Sequence, residues 1–301
     1  MISLPQAQIS VKTRPVPIRQ SRNRHFGILQ RKQGLICTNL KSIANYHAIF
    51  KEESVRRFFV SHPIGESTEV NLTGSDAVHI TTVLRMQPGD RLLILDGSGW
   101  EYEGHITSLA KKQVNTRIES RKRCTTEPRL QLTVAQALLK EKKMDRLVRR
   151  LTELGAVSLI PYHAQRSVPR PAPQRWTART ERWKRITREA MKQCRRGRTL
   201  ELAAPQTWPE LLASAQNFDL TVLFWEHART ALSAIAPDHP PETTRRILVI
   251  LGPEGGFDPA EVSAAKSQNI RTATLGPRIL RADTAALAAC TLTQYQWGDI
   301  G

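Results

Sequence analysis

The sequence predicts an α/β protein in two parts, a small β-barrel followed by a larger domain built on a mostly parallel sheet. Three observations predict it. Five short runs of strand composition and one helical stretch crowd between residues 56 and 124. After Arg129 the rhythm changes to strands alternating with helices. The last two strands of that series each run into a Gly-Pro loop followed by a helix. A chain of 301 residues is long enough for two such cores.

Residues 1–54 come first and fit neither part. They carry nine basic and two acidic residues, a net +7, hold Pro5, Pro15 and Pro17, and keep no period of 2 or 3.6. Such a segment reads as a disordered leader or as a start codon placed too far upstream. Its shortage of acids also suits an organellar transit peptide, and a basic arm that grips RNA is a third reading.

The barrel is expected over 55–124. Arg57–Val60, Thr68–Leu72, Arg91–Leu95, Glu101–Ile106 and Gln113–Ile118 have strand composition or alternation, with turns at Gln87-Pro-Gly-Asp90 and Asp96-Gly-Ser-Gly99. Between the second and third, Ala77, Ile80, Val83 and Leu84 fall at helical spacing within Asp76–Arg85. Thr125-Thr-Glu-Pro128 reads as a linker.

The second domain is expected over 129–301. Leu132–Ala135 is a buried-type strand. Met144, Leu147, Val148, Leu151 and Leu154 then form a helical stripe that stops at Gly155, a residue suited to a C-cap. Val157–Ile160 is the next strand, followed by a long basic helix over roughly 175–195. Strands at Leu220–Trp225 and Ile247–Leu251, a helix from Pro259, a strand at Thr272–Leu275 and a helix at Thr284–Trp297 complete the series. Such alternation means a sheet covered on both faces.

Lys and Arg total 45 against 27 Asp and Glu, a formal +18, and the body keeps +11 without the leader. A field of that sign attracts polyanions, nucleic acid above all. The four cysteines (Cys37, Cys124, Cys194, Cys290) lie far apart with no C-x-x-C pair, and the eight histidines show no ligand spacing. Neither a metal site nor a disulfide framework is expected, and a reducing compartment suits the chain. No apolar run approaches the roughly twenty residues of a membrane span.

The chemistry concentrates near the C-terminus. Gly252-Pro-Glu-Gly-Gly256 follows the apolar strand and precedes a helix with Asp258 as N-cap, Pro259 in the first turn and Glu261 completing a capping box. Gly276-Pro277 opens a similar loop after the next strand, with Arg281 and Asp283 at the helix start. Glycines there let backbone approach a ligand at the carboxyl ends of parallel strands. A G-x-G-x-x-G after the first strand is absent, so a dinucleotide or P-loop enzyme is disfavoured.

Leu251-Gly-Pro-Glu-Gly-Gly-Phe257 and Leu275-Gly-Pro-Arg-Ile-Leu-Arg-Ala-Asp-Thr-Ala285 resemble the two signature loops of the RsmE family, SPOUT-class methyltransferases that make 3-methyluridine in small-subunit rRNA. Arg57-Phe-Phe-Val60, Val83-Leu-Arg-Met86, Lys142-Lys-Met-Asp145, Thr152-Glu-Leu-Gly155, Gln165-Arg-Ser-Val168 and Gln193-Cys-Arg-Arg196 match it as well, in order. The resemblance covers roughly 55–301 and leaves the leader outside.

It implies a PUA-like barrel, a C-terminal domain with a trefoil knot, S-adenosylmethionine as cofactor, a homodimer, 16S rRNA or the small ribosomal subunit as partner, and a cytoplasmic place of work without membrane or metal. The donor is expected against Leu223, Phe224 and Glu226, against Leu251, Gly252, Pro253, Glu254, Gly255 and Gly256, and against Leu275, Gly276, Ile279, Leu280, Arg281, Thr284 and Ala285. Arg281 is expected to stabilise charge developing on uracil, with Arg196 as second candidate and Glu254 as base or loop-orienting group. A salt bridge from Arg281 to Asp283 is the competing structural reading.

Phe224 and Trp225 read as core rather than as an adenine platform. Lys140-Glu-Lys-Lys143 reads as an exposed helix start. Arg56, Arg57 and Arg85 in the barrel, and Arg166, Arg195, Arg196 and Arg198 beyond it, are the expected RNA contacts. Leu287, Leu292 and Tyr295 suit a dimer face or ordinary core. Two departures stand out: Asp283, where the family more often has Glu, and the charge of Arg195-Arg-Gly-Arg198. The alternatives are a related knotted methyltransferase on another RNA, and an inactive RNA-binding ribosome-assembly factor.

Overall fold

In the computed structural model, which describes residues 55–301 apart from 111, 170 and 171, alternating residues build the first sheet. Expectations for 1–54 lie outside the described residues. Strands β1 (Arg57–Phe59), β2 (Glu69–Thr73), β3 (Arg91–Leu95), β4 (Trp100–Ala110) and β5 (Gln113–Arg123) join in the order β1-β3-β4-β5-β2. Only the β1–β3 pair is parallel. Val70, Leu72, Ile94, Tyr102, Ile106 and Val114 close the barrel's own core. β4 and β5 run longer than their apolar alternation suggests. Their far halves pair up to Trp100–Arg123, although residues 119–123 of β5 are exposed, so backbone bonding extends the hairpin where burial does not.

The helical stretch of the barrel differs from the even stripe expected over 76–85. α1 (Gly74–Val78) widens into a π turn over 79–83, with the Leu84 N–H donating to the His79 carbonyl five residues back. Ala77 and Ile80 stay buried, but the wider turn rotates Val83 outward, leaving it 68% exposed.

Seven strands form the second sheet: β6 (Gln131–Ala137), β7 (Ser158–His163), β8 (Glu201–Leu202), β9 (Gln206–Thr207), β10 (Leu220–Phe224), β11 (Arg246–Leu251) and β12 (Arg271–Ala273). All pairs are parallel, in the order β12-β10-β11-β6-β7-β8, with β9 also on β7. Helices α2 (Glu141–Glu153), α3 (Pro173–Cys194), α4 (Trp208–Ser214), α5 (Pro259–Ser267) and α6 (Ala282–Trp297) cover it.

The apolar run of β11 serves both faces. Ile247, Val249 and Leu251 join the core under α2, α3 and α6, whereas Leu248 and Ile250 join the one under α4 and α5. After β12 at one edge the chain returns to the sheet's middle, where α6 packs on β6, β11 and α2.

Helix ends follow local chemistry. Gly155 takes φ +78 after α2, and the next N–H, of Ala156, reaches back to the Leu151 carbonyl. Asp258 and Glu261 form the expected capping box of α5. A second capping box, Thr207 with Glu210, starts α4. That signal, Thr207-Trp-Pro-Glu210, is legible in the sequence, although neither α4 nor the two-residue strands β8 and β9 are among the expected elements. None of the helices among the described residues is long and apolar enough to cross a membrane.

Candidate active site

Strand register brings three loops to one level. Phe224 at the end of β10 lies opposite Leu251 of β11 and Ala273 of β12. The loops leaving these strands enclose a cavity of about 310 Å3, lined by Phe224, Trp225 and Glu226, by much of 251–257 and by much of 274–282. Ala285 of α6 and Lys143 of α2 complete the wall.

Buried groups hold the second loop from beneath. The Tyr162 hydroxyl donates to the Leu251 carbonyl at 2.9 Å, and the Gln136 amide donates to the Gly252 carbonyl at 3.0 Å. Burial, with the Glu261 carboxylate nearby, pushes the Tyr162 phenol well above its ordinary range. It therefore remains a neutral donor at any physiological pH. Gln136 is fully buried and its Oε1 has no hydrogen-bond partner among the described residues.

Gly256 turns this loop at φ +69, and a Cβ there would stand 2.7 Å from Glu226 Oε1. Backbone and carboxylate can approach that closely only without a side chain. Gly276 turns the third loop at φ +101.

Charged groups ring the cavity. Lys143 Nζ lies 3.0 Å from Glu254 Oε1, each side chain about three-quarters buried. Arg278 and Arg281 line the third loop and are exposed. Arg281 is the N-cap of α6 and its carbonyl accepts the Ala285 N–H. The competing Arg281–Asp283 salt bridge does not form: Asp283 Oδ1 is buried with no hydrogen-bond partner among the described residues. No group of three or more His, Cys, Asp and Glu among the described residues could hold a metal ion.

Of the residues expected around the donor, Phe224, Glu226, Leu251, Gly252, Pro253, Glu254, Gly256, Leu275, Gly276, Ile279, Leu280, Arg281 and Ala285 line this cavity. Three do not. Leu223 points into the core under α4 and α5, because neighbouring strand residues face opposite ways. Gly255 packs against Arg166 instead, and Thr284 is an exposed residue in the first turn of α6. Phe224 serves both core and cavity, while Trp225 is half-buried on the wall. Lys143, Trp225, Phe257, Thr274, Arg278 and Ala282 also line it and were not among the expected donor contacts. Lys143 was legible only through topology, since β6 lies beside β11 and its helix therefore starts near the same end.

The expected RNA contacts divide. Arg56, Arg85, Arg195 and Arg198 are exposed. Arg57 is half-buried and lies 3.8 Å from Glu101. Arg166 is exposed and pairs with Asp258 at 3.2 Å.

Arg196 requires a correction, both as second catalytic candidate and as RNA contact. It lies outside the cavity and is 3% exposed. Its Nη1 donates to the carbonyls of Thr152 and Ala156, and Nε and Nη2 donate to Glu127. With its donors consumed inside the protein, the guanidinium joins the linker to the second domain.

Comparison with known proteins matches this architecture. An RNA methyltransferase domain model matches residues 126–294, and an RNA methyltransferase PUA domain model matches residues 72–119. Ribosomal RNA small subunit methyltransferase E of Bacillus subtilis is 31% identical over 250 residues, covering 80% of this chain and 97% of its own. The Synechocystis protein of that name is 30% identical over 220 residues, 73% of this chain and 71% of its own. Among solved structures, the Neisseria gonorrhoeae ribosomal RNA small subunit methyltransferase E bound to S-adenosyl methionine superposes with a TM-score of 0.72 at 25% identity, covering 82% of this chain and all of that one. A Legionella pneumophila chain in complex with the bound cofactor SAM gives 0.74 at 26% identity, with 81% and 99% covered.

Proposed function

This chain belongs to the RsmE family of small-subunit ribosomal RNA methyltransferases, and on that premise we propose that it transfers a methyl group from S-adenosylmethionine to N3 of a uridine in 16S rRNA. The observation that carries the proposal is the cavity at the ends of β10, β11 and β12. Its volume of about 310 Å3 lies within the range of small-molecule sites. Phe224, Leu251, Leu275, Leu280 and Ala285 offer apolar surface for a nucleoside, and Glu226 beside the bare backbone of Gly256 offers an acceptor for hydroxyls. The residues present fit the donor.

S-adenosylmethionine, when bound, supplies a methyl group activated by a sulfonium centre. The chain's own residues do the rest. Uracil N3 becomes a nucleophile only when its proton leaves, which spreads negative charge over the ring and its oxygens. Arg281, at the cavity rim, stabilises that charge. The ion pair with Lys143 supports Glu254 as the group that holds the loop in position, so the proton passes to water. The cavity walls align the reacting atoms.

The trefoil path belongs to the same proposal, supported by the return of the chain from β12 to the middle of the sheet. So does a homodimer through α6, whose Leu292 and Tyr295 are 43% and 68% exposed. A cytoplasmic place of work belongs to the proposal as well. The test is transfer of a labelled methyl group to small subunits that lack the modification, with the labelled nucleoside identified by mass spectrometry. 3-Methyluridine is expected; a ribose-methylated nucleoside, another base or no incorporation would overturn the proposal.

A further inference from the structure

A second, larger recess of about 560 Å3 lies where α3 runs beside the barrel. Phe59, His62 and Asn71 stand on the barrel side, and Arg182, Arg185, Arg188 and Lys192 on the helix side. Spacings of three and four residues set these four cations along one side of α3. None of them is among the arginines that the sequence pointed to as RNA contacts.

The acids of the recess are already engaged. Lys192 lies 3.3 Å from Asp76 and 2.8 Å from Glu189, and Lys184 lies 2.7 Å from Glu181. Arg182 pairs with Asp145. Two cations make no salt bridge among the described residues, although Glu181, whose carboxyl Lys184 chiefly holds below its ordinary value, also feels Arg188. Arg185 is exposed, and the Arg188 guanidinium sits 5.0 Å over the Phe59 ring. A guanidinium held over a ring keeps its charge and its fork of N–H donors, and its plane is a stacking surface for a base.

We propose that this recess is a second RNA site, in which Arg185 and Arg188 take the sugar–phosphate backbone of a strand flanking the methylated nucleotide and a base stacks on the Phe59–Arg188 pair. The proposal rests on the reading of RNA as substrate. Phosphate contacts there set register and leave the choice of base to the cavity. The His62 ring and the Asn71 amide, beside the two arginines, suit sugar and base edges. The surplus of +11 on the chain beyond residue 54 supplies the long-range attraction.

The test measures affinity for naked 16S rRNA against salt concentration, with S-adenosylmethionine binding in parallel. Replacing Arg185→Gln and Arg188→Gln together removes two phosphate contacts. The slope of log affinity against log salt should then flatten by about 1.4 to 1.8, and affinity at 0.1 M salt should fall about 25- to 60-fold. Arg185→Gln alone touches no packing and should give about half the slope change, which keeps the test valid if the double variant folds poorly. Donor binding should not change.

Arg271→Gln, on the edge strand β12 and 3.5 Å from Asp238, removes one charge elsewhere, as Arg185→Gln does, and serves as the control for that single variant. Unchanged slopes, or an equal loss in the control, would overturn the proposal. So would unchanged binding to naked rRNA with a loss confined to assembled subunits, which would make the recess a ribosomal-protein contact. Failure of the uracil-N3 reading shows differently: the wild type then makes no 3-methyluridine, whatever the salt slopes are.

Discussion

Replacing Glu127 with alanine should destabilise the protein far more than its place in a linker suggests. Glu127 Oε1 accepts the N–H groups of Gly197 and Arg198, both at 2.8 Å. Oε2 accepts Arg196 Nη2 at 3.0 Å and Nε at 3.3 Å. Arg196 is 3% exposed, so the truncation leaves a buried guanidinium without its counter-charge, a change that typically costs about 3–5 kcal/mol. Two carbonyls still hold Nη1, at 2.9 and 2.8 Å, which places the expected loss near the lower end, about 3 kcal/mol.

For a folded body of this size, 3 kcal/mol corresponds to a fall in Tm of about 6–12 °C. Urea titration and thermal melts measure both quantities. Removing both partners, Glu127→Leu with Arg196→Met, should cost less than Glu127→Ala alone, because no unpaired charge remains. A Glu127→Ala variant within about 1 kcal/mol of wild type, at unchanged m-value, would refute the assignment of Arg196 as a buried, Glu127-dependent cation.

Arg281→Ala should lower single-turnover methylation about 10²- to 10³-fold while leaving donor affinity within a few-fold, as for removal of one stabiliser of developing charge. A full methylation rate would remove Arg281 from the chemistry. Leu292→Glu with Tyr295→Glu on α6 should convert a dimer to a monomer in sedimentation; an unchanged mass would place the dimer interface elsewhere or abolish it. The carboxyl of Asp219 is favoured toward neutrality by burial, but the N–H groups of Arg246 and Arg245 and the Arg246 guanidinium outweigh this and hold it below its ordinary value. Its stabilising contribution is therefore present above about pH 4 and lost as pH falls through the lowered value. Accordingly, the Tm gap between wild type and Asp219→Asn should close below about pH 4, and a gap constant to pH 2 would contradict it.

How far the sequence reveals the fold depends on how local each signal is. The strand Ile247–Leu251, the stop of α2 at Gly155 and the capping box of α5 are written in adjacent residues, and the structure has all three. The π turn over 79–83 is not written locally: Ile80 is buried in it and Val83 turned out, whereas the apolar spacing alone predicts a regular helix. The strand tips of β4 and β5 carry charged residues with a surface signature, and only their cross-strand bonds make them strand.

The same division holds at the site. The loops after β11 and β12 declare themselves through their glycines, and they do enclose the cavity. Lys143 reaches it only because parallel pairing sets β6 beside β11, which no run of residues encodes. Arg196 misled for the opposite reason. In a basic run it looks like an RNA contact, and only the fold reveals that Glu127, 69 residues earlier, has taken it inward.

The central claim, that the cavity at the ends of β10, β11 and β12 holds the methyl donor, is tested most directly by calorimetric titration of S-adenosylmethionine into the wild type and an Ala285→Phe variant. Ala285 lines the cavity from a regular helix, so the added ring fills space without straining the backbone. Saturable binding to the wild type, lost in a variant of unchanged Tm, is the predicted result. Equal affinity in both proteins would place the donor elsewhere and contradict the account.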